Sequence, residues 1–237
     1  MSRGGGSHFV HRHFDEELQA LKDDLLEMGG RAEAVIQKAI EAIRNRDVPL
    51  ADEVIEDDRA IDRLEIDIDE RCVSLLALRQ PMAVDLRFIT AALKIANDLE
   101  RVGDHAVNIA GSAKRLAAEA PLKPLVDIPR MAGLAATMLR EGLDAFVTRN
   151  STIARDLVKR DDEVDALNHQ IFRELLSFMI EDPRTITRAM ELILVARNLE
   201  RVADLATNVA EEVVFIAEAR IIKHHADERI GDDFGRS

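Results

Sequence analysis

A fifteen-residue segment of this chain recurs 100 positions later, and the duplication constrains the fold more than any other feature. Ala96-Asn97-Asp98-Leu99-Glu100-Arg101-Val102-Gly103-Asp104-His105-Ala106-Val107-Asn108-Ile109-Ala110 returns as Ala196-Arg197-Asn198-Leu199-Glu200-Arg201-Val202-Ala203-Asp204-Leu205-Ala206-Thr207-Asn208-Val209-Ala210, with nine of the fifteen positions identical. Upstream the match continues at an offset of 103. Leu50, Ala51, Val54, Asp58, Asp62 and Leu64 align there with Ile153, Ala154, Leu157, Asp161, Asp165 and Leu167. The change of offset places a three-residue insertion or deletion near two equivalent turns. A chain of 237 residues with this pattern is two copies of one unit, each about the size of a small domain.

Each copy reads as three helices. The six prolines (Pro49, Pro81, Pro121, Pro124, Pro129 and Pro183) all fall where elements divide, because proline removes a donor and clashes with the preceding turn. Between them the apolar positions keep helical spacing: Leu21, Leu25, Met28, Ala32, Val35, Ala39 and Ala42 alternate steps of four and three, a seam that faces another helix. No segment alternates as a strand would. The spacing predicts helices over about 14–46, 50–79, 84–119, 128–148, 151–180 and 184–225. Asp127 is expected to cap the fourth, and Asn150 or Ser151 the fifth. Gly29-Gly30 inside the first helix are expected to permit a bend. The fold class is therefore all-α: two tandem three-helix bundles, six long antiparallel helices related by duplication. The first spans 14–120 and the second 127–226, with residues 1–13 expected as a disordered N-terminal segment and 227–237 as a frayed tail.

Charge narrows the function. Asp and Glu total 45 against 32 Lys and Arg, a formal charge of −13, and there is no Trp or Tyr. A nucleic-acid partner is excluded, since such surfaces need a basic stripe and stacking aromatics. The single cysteine, Cys72, leaves no disulfide framework, which fits a reducing cytoplasm. Met1–Ser7 lacks the apolar core of a signal peptide, and no apolar run approaches the length of a membrane span.

Within the repeats, carboxylates fall at helical spacing. Glu100 and Asp104 sit one turn apart on one helix face, as do Glu200 and Asp204; Asp58 with Asp62, and Asp161 with Asp165, do the same on the preceding helices. In so acidic a chain any one such pair reads as a solvated face. Their heights change that weighting. Facing residues of an antiparallel hairpin share a midpoint, and Asp62 with Glu100 and Asp58 with Asp104 share one at Pro81. Asp165 with Glu200 and Asp161 with Asp204 share another, between Asp182 and Pro183. Four like charges at one level repel unless a cation lies between them. Oxygen donors of this kind suit magnesium, manganese, calcium or oxidised iron, and zinc stays among the candidates. The competing expectation is that Arg59, Arg63, Arg101 and Arg201 answer the carboxylates.

No catalytic constellation accompanies them. There is no Gly-rich phosphate loop, Ser-His-Asp arrangement or H-E-x-x-H, and no histidine follows a glutamate by three as a di-iron bundle requires. His105 is replaced by Leu205 in the second copy and reads as a polar residue rather than a ligand. His224-His225 complement the end of the sixth helix, and Cys72 is a packed side chain. The alternative function is a metal-dependent enzyme or a metal store on a carboxylate bundle.

Asp98 to Ile109, and Asn198 to Asn208 followed by Glu211-Glu212-Val213-Val214-Phe215, closely resemble the paired motifs of the PhoU family of phosphate-uptake regulators. The likeness runs from about Phe14 to about His225. It implies two related bundles side by side in a cytoplasmic, non-enzymatic accessory protein of the phosphate-specific ABC transporter. Such a protein negatively regulates the phosphate-starvation response by coupling the transporter's ATPase subunit to a membrane sensor histidine kinase. It is commonly a homodimer and meets the membrane only through protein partners. The family's E(D)-x-x-x-D motifs are associated with multinuclear metal clusters. Carried over, they fall on Asp58, Asp62, Glu100 and Asp104 in the first repeat and on Asp161, Asp165, Glu200 and Asp204 in the second. Gly103 and His105 of the first motif stand against Ala203 and Leu205, so the two clusters are expected to be unequal.

Overall fold

A computed structural model describes residues 5–219. The elements are α1 (Gly5–Asn45), α2 (Val48–Arg79), α3 (Val84–Ala117), α4 (Asp127–Thr148), α5 (Ser151–Glu181) and α6 (Ile186–Glu218), with a 3₁₀ turn over Pro183–Thr185 before the last. No strand occurs among the described residues.

The duplication is written most plainly in the turns. Arg46 and Arg149 occupy equivalent positions after α1 and α4, and both take the left-handed conformation, with φ of 58° and 54°. The Asp47 amide donates to the Ala42 carbonyl and the Asn150 amide to Ala145, each at 2.9 Å, which closes the same helix-ending motif twice. The next side chain then starts the following helix. Asp47 accepts from the Leu50 amide at 2.9 Å, and Asn150 from the amides of Thr152 and Ile153 at 3.1 and 3.2 Å.

Two boundaries differ from expectation. Helix α1 runs from Gly5 rather than 14, so 5–13, expected as a disordered segment, belong to it; they contain no proline, and the apolar periodicity used to place the start is a tertiary signal that a helix can outrun. Asp127 is the first residue of α4, not its cap: Val126 holds that position without a side-chain bond, and Asp127 instead places its charge in the first turn. The α5–α6 turn uses Asp182, which accepts from the Arg184 amide at 3.0 Å, and Thr185, whose hydroxyl donates to Phe178 at 2.9 Å. The segment 227–237 and His224-His225 lie outside the described residues.

Within each bundle the three helices bury a Leu, Ile, Val and Ala core, to which Leu21, Leu25, Met28, Ala32, Ala39 and Ala42 of the predicted seam contribute at 0% exposure. Each buried aliphatic of Val or Leu size contributes about 1.5–3 kcal/mol of transfer free energy. The bundles meet along α3–α6 and α1–α4. Lys94 pairs with Glu212 at 3.1 Å, His105 Nδ1 lies 2.9 Å from Asn198 Oδ1, and Arg115 binds Glu191 at 2.6 and 2.9 Å, an order that makes α3 and α6 antiparallel. The two repeats are thus related by an approximate two-fold axis near Val102 and Val202. On the other seam, a Cβ on Gly29 would lie 2.0 Å from Leu143 Cδ1. Gly29 therefore lets α4 approach α1, a packing role that its spacing in the sequence did not announce. Phe88 of α3 stacks on Phe146 of α4, centroids 4.6 Å apart, and adds an aromatic clamp between the bundles.

Candidate metal centre

The eight carboxylates singled out from the sequence gather into two layers of four. In the first, Asp58 and Asp62 on α2 face Glu100 and Asp104 on α3; in the second, Asp161 and Asp165 on α5 face Glu200 and Asp204 on α6. Asp62, Asp104 and Asp204 are exposed and the other five half-buried. Burial, and after it mutual repulsion, raises the proton affinity of four of them. Burial, with Asp62 and Asp104 close by, pushes the Asp58 carboxyl from 3.8 up to about 6. Burial, with Asp204, Asp165, Asp162 and Glu200, pushes Asp161 up to about 6 as well. Glu100 is raised by burial and by Asp104, Glu65, Asp62 and Asp58. Asp204 is raised by burial, Glu200 and Asp165, with Arg201 and His105 opposing. Every member of each quartet is therefore close enough to act on another, as the shared midpoints required.

The arginines form no ion pair with these layers among the described residues, although the charge of Arg201 opposes the rise at Asp204. Arg59 pairs with Glu56 at 2.6 Å and Arg101 approaches Asp98 at 3.7 Å. Among the described residues none of the eight carboxylates accepts a hydrogen bond or enters an ion pair. Asp58 Oδ1 is buried with no partner at all. Its place in the packing depends on Gly103, because a Cβ there would stand 2.2 Å from that oxygen. An orphaned, buried carboxylate oxygen among like charges is costly unless something positive meets it. The donor set, oxygen only and anionic, fits a hard divalent or trivalent cation. As placed, however, no three His, Cys, Asp or Glu side chains among the described residues converge on one point as an ion would require. What the layers show is two groups of closely spaced, unpaired carboxylates, one group in each repeat.

Two neighbours escaped the sequence reading. Glu65 joins the first layer and Asp162 the second. Glu65 lies three residues past Asp62, so helical spacing could have found it. His105 reaches across to Asn198 of the other repeat, and burial lowers its proton affinity. Cys72 is buried, and burial with Asp69 and Asp24 nearby pushes its thiol up to about 12, so it is a packed side chain.

Comparison with known proteins points to one family. A family model described as "PhoU domain" matches twice, over residues 25–113 and 128–213. A phosphate-specific transport system accessory protein PhoU homolog of Aquifex aeolicus is 45% identical over 209 residues, 88% of this chain and 95% of the relative. Its namesake from Pseudomonas aeruginosa is 36% identical over 219 residues, covering 92% and 90%. The crystal structure of PhoU from Pseudomonas aeruginosa superposes with a TM-score of 0.84 at 38% identity over 87% of this chain and all of that one. The phosphate transport system regulatory protein PhoU of Streptococcus pneumoniae gives 0.82 at 28% identity, over 89% of this chain and 99% of the other. With its two matched halves, its six helices and its paired carboxylate motifs, the chain belongs to the PhoU family.

Proposed function

We propose that this protein regulates phosphate uptake and represses the phosphate-starvation response as an adaptor. It docks between the ATPase subunit of a phosphate ABC transporter and a sensor histidine kinase in the cytoplasm, acts as a homodimer, and carries cations in its two carboxylate layers. The observation that carries this reading is the full-length likeness to proteins named accessory or regulatory in phosphate transport. A docking role is supported by apolar side chains at the two equivalent hairpin ends, Leu78 and Met82 on one and Ile180 on the other, which are 74%, 80% and 75% exposed. The layers supply fixed negative charge that iron, manganese, magnesium or zinc would neutralise, rigidifying α2 against α3 and α5 against α6. The cation is structural or sensory in this reading, and no bond-making step is assigned to it.

The test is genetic and elemental. In a deletion strain, phosphate-starvation promoters should fire in excess phosphate, and plasmid-borne wild type should silence them. Promoters that stay silent without the gene would sink the regulatory role. Metal analysis of native protein, beside Glu100→Gln and Glu200→Gln, addresses the layers separately; protein that takes up no metal under any loading condition leaves the carboxylates as docking or solvated surface.

A further inference from the structure

The antiparallel crossing of α3 and α6 does something that neither repeat does alone: it brings Arg101 and Arg201, the same residue of the duplicated motif, into one cleft. That cleft has a volume of about 380 Å³, large enough for a small ligand with its waters, and lies against the second carboxylate layer. Arg101, Arg201, Thr207 and Asn208 supply its donors, while Asp161 and Asp204 form the acidic wall. Both arginines line the cleft and are exposed, Arg101 with Asp98 3.7 Å away. Arg201 enters no ion pair or hydrogen bond among the described residues, in a chain with 45 acids to choose from. Thr207 Oγ1 is buried and has no hydrogen-bond partner.

These groups define a ligand. Two planar guanidinium forks, a hydroxyl and a primary amide are the donor set of a tetrahedral oxyanion. Three acids, Asp161, Asp204 and Glu211, share the cleft and would repel a bare dianion. A divalent cation between carboxylates and anion removes that repulsion. On the first repeat His105 lies 2.9 Å from Asn198, whereas its counterpart Leu205 can make no such bond.

We propose that this cleft binds a phosphate-class oxyanion, with Arg101 and Arg201 as its clamp and a divalent cation at Asp161 and Asp204 as its counter-charge. The proposal rests on the cation reading of the second layer. It would give a phosphate-uptake regulator a direct view of its signal, through a site that exists only when the two repeats are packed together.

The test uses the full chain, radiolabelled orthophosphate in equilibrium dialysis, and electron paramagnetic resonance to count bound Mn²⁺. With Mn²⁺ present, wild type should retain phosphate; Arg101→Gln and Arg201→Gln should each weaken retention about tenfold, a change of about 1.4 kcal/mol. Mn²⁺ stoichiometry and the melting temperature of these surface variants should stay at wild-type values. Phosphate that fails to bind Mn²⁺-loaded wild type, or that binds the double variant equally well, overturns the site. Should resonance find no Mn²⁺, the cation reading fails by itself. Arginine-dependent retention in EDTA then still supports the anion clamp, and its absence overturns it. O-phosphoserine as competitor separates sources: displacement assigns the cleft to phosphoryl groups carried on protein, and no displacement assigns it to free phosphate.

Discussion

Asp58 and Asp161 are the residues at which the cost of the carboxylate layers can be measured. Each has a proton affinity raised from 3.8 to about 6, chiefly by burial and then by the acids around it. A rise of about two pKa units corresponds to about 3 kcal/mol at 1.36 kcal/mol per unit. Both side chains are only partly buried, so solvent screening reduces this to about 1 kcal/mol each. The folded-state value lies above the unfolded one, so the folded protein binds more protons between about pH 4 and 6. Ionisation therefore destabilises the metal-free fold above about pH 6, and the penalty disappears below about pH 4. Asp58→Asn and Asp161→Asn remove the charge while keeping the shape. In EDTA at pH 7.5 each should raise the melting temperature by about 2–4 °C, and the gains should add, because the two groups share no charged neighbour. At pH 4 the variants and wild type should melt together. Calorimetry from pH 4 to 8 reads all of this, and a saturating cation should reverse the order, since it stabilises only the protein that holds it. An asparagine variant no more stable than wild type at pH 7.5, or a gain undiminished at pH 4, refutes the claim that these layers hold ionised carboxylates at a cost to the fold.

Other perturbations test the frame around them. Phe88→Ala removes a fully buried ring stacked on Phe146 and should cost about 3–5 kcal/mol in urea unfolding. Gly103→Ala puts a Cβ 2.2 Å from Asp58 Oδ1, so the carboxylate must swing outward. Carboxyl NMR should then find Asp58 titrating nearer the ordinary range, with about 1 kcal/mol of helix propensity offsetting part of the strain. Asn150→Ala deletes the cap of α5 and should cost about 1 kcal/mol, matched by Asp47→Ala at the equivalent turn.

The helices and the composition of each layer were legible in sequence for one reason: both depend on periodicity along the chain. Proline positions marked the breaks, and the common midpoints at Pro81 and before Pro183 placed Asp58 opposite Asp104, and Asp161 opposite Asp204. What depends on contact between distant elements was not legible. The Gly29 close approach to Leu143 needs the α1–α4 crossing to be known, since an isolated glycine in a helix carries no sign of its neighbour. Helix α1 outran its predicted start because packing periodicity reports burial rather than helicity. That Arg59 and Arg101 leave the carboxylates for Glu56 and Asp98 follows from rotamers, which spacing cannot supply.

Exact symmetry would have been a hazard to a duplicated chain. If α3 and α6 carried identical faces, α3 of one molecule could pair with α3 of another as readily as with its own α6, and the repeats would exchange partners. The polar contacts across the seam remove that degeneracy. Lys94 meets Glu212, but their counterparts in the other repeats are Leu194 and Ser112; Arg115 meets Glu191, but theirs are Phe215 and Ala91. An α3–α3 pairing would leave Lys94 opposite Ser112 and Arg115 opposite Ala91, with both charges unanswered. Glu212 is 2% exposed, so an α6–α6 pairing would bury its carboxylate against Leu194. Specificity here comes from what the wrong pairing loses. Duplication thus supplied the two-fold frame and the paired carboxylates, and the departures from it fix the register in which Arg101 and Arg201 meet.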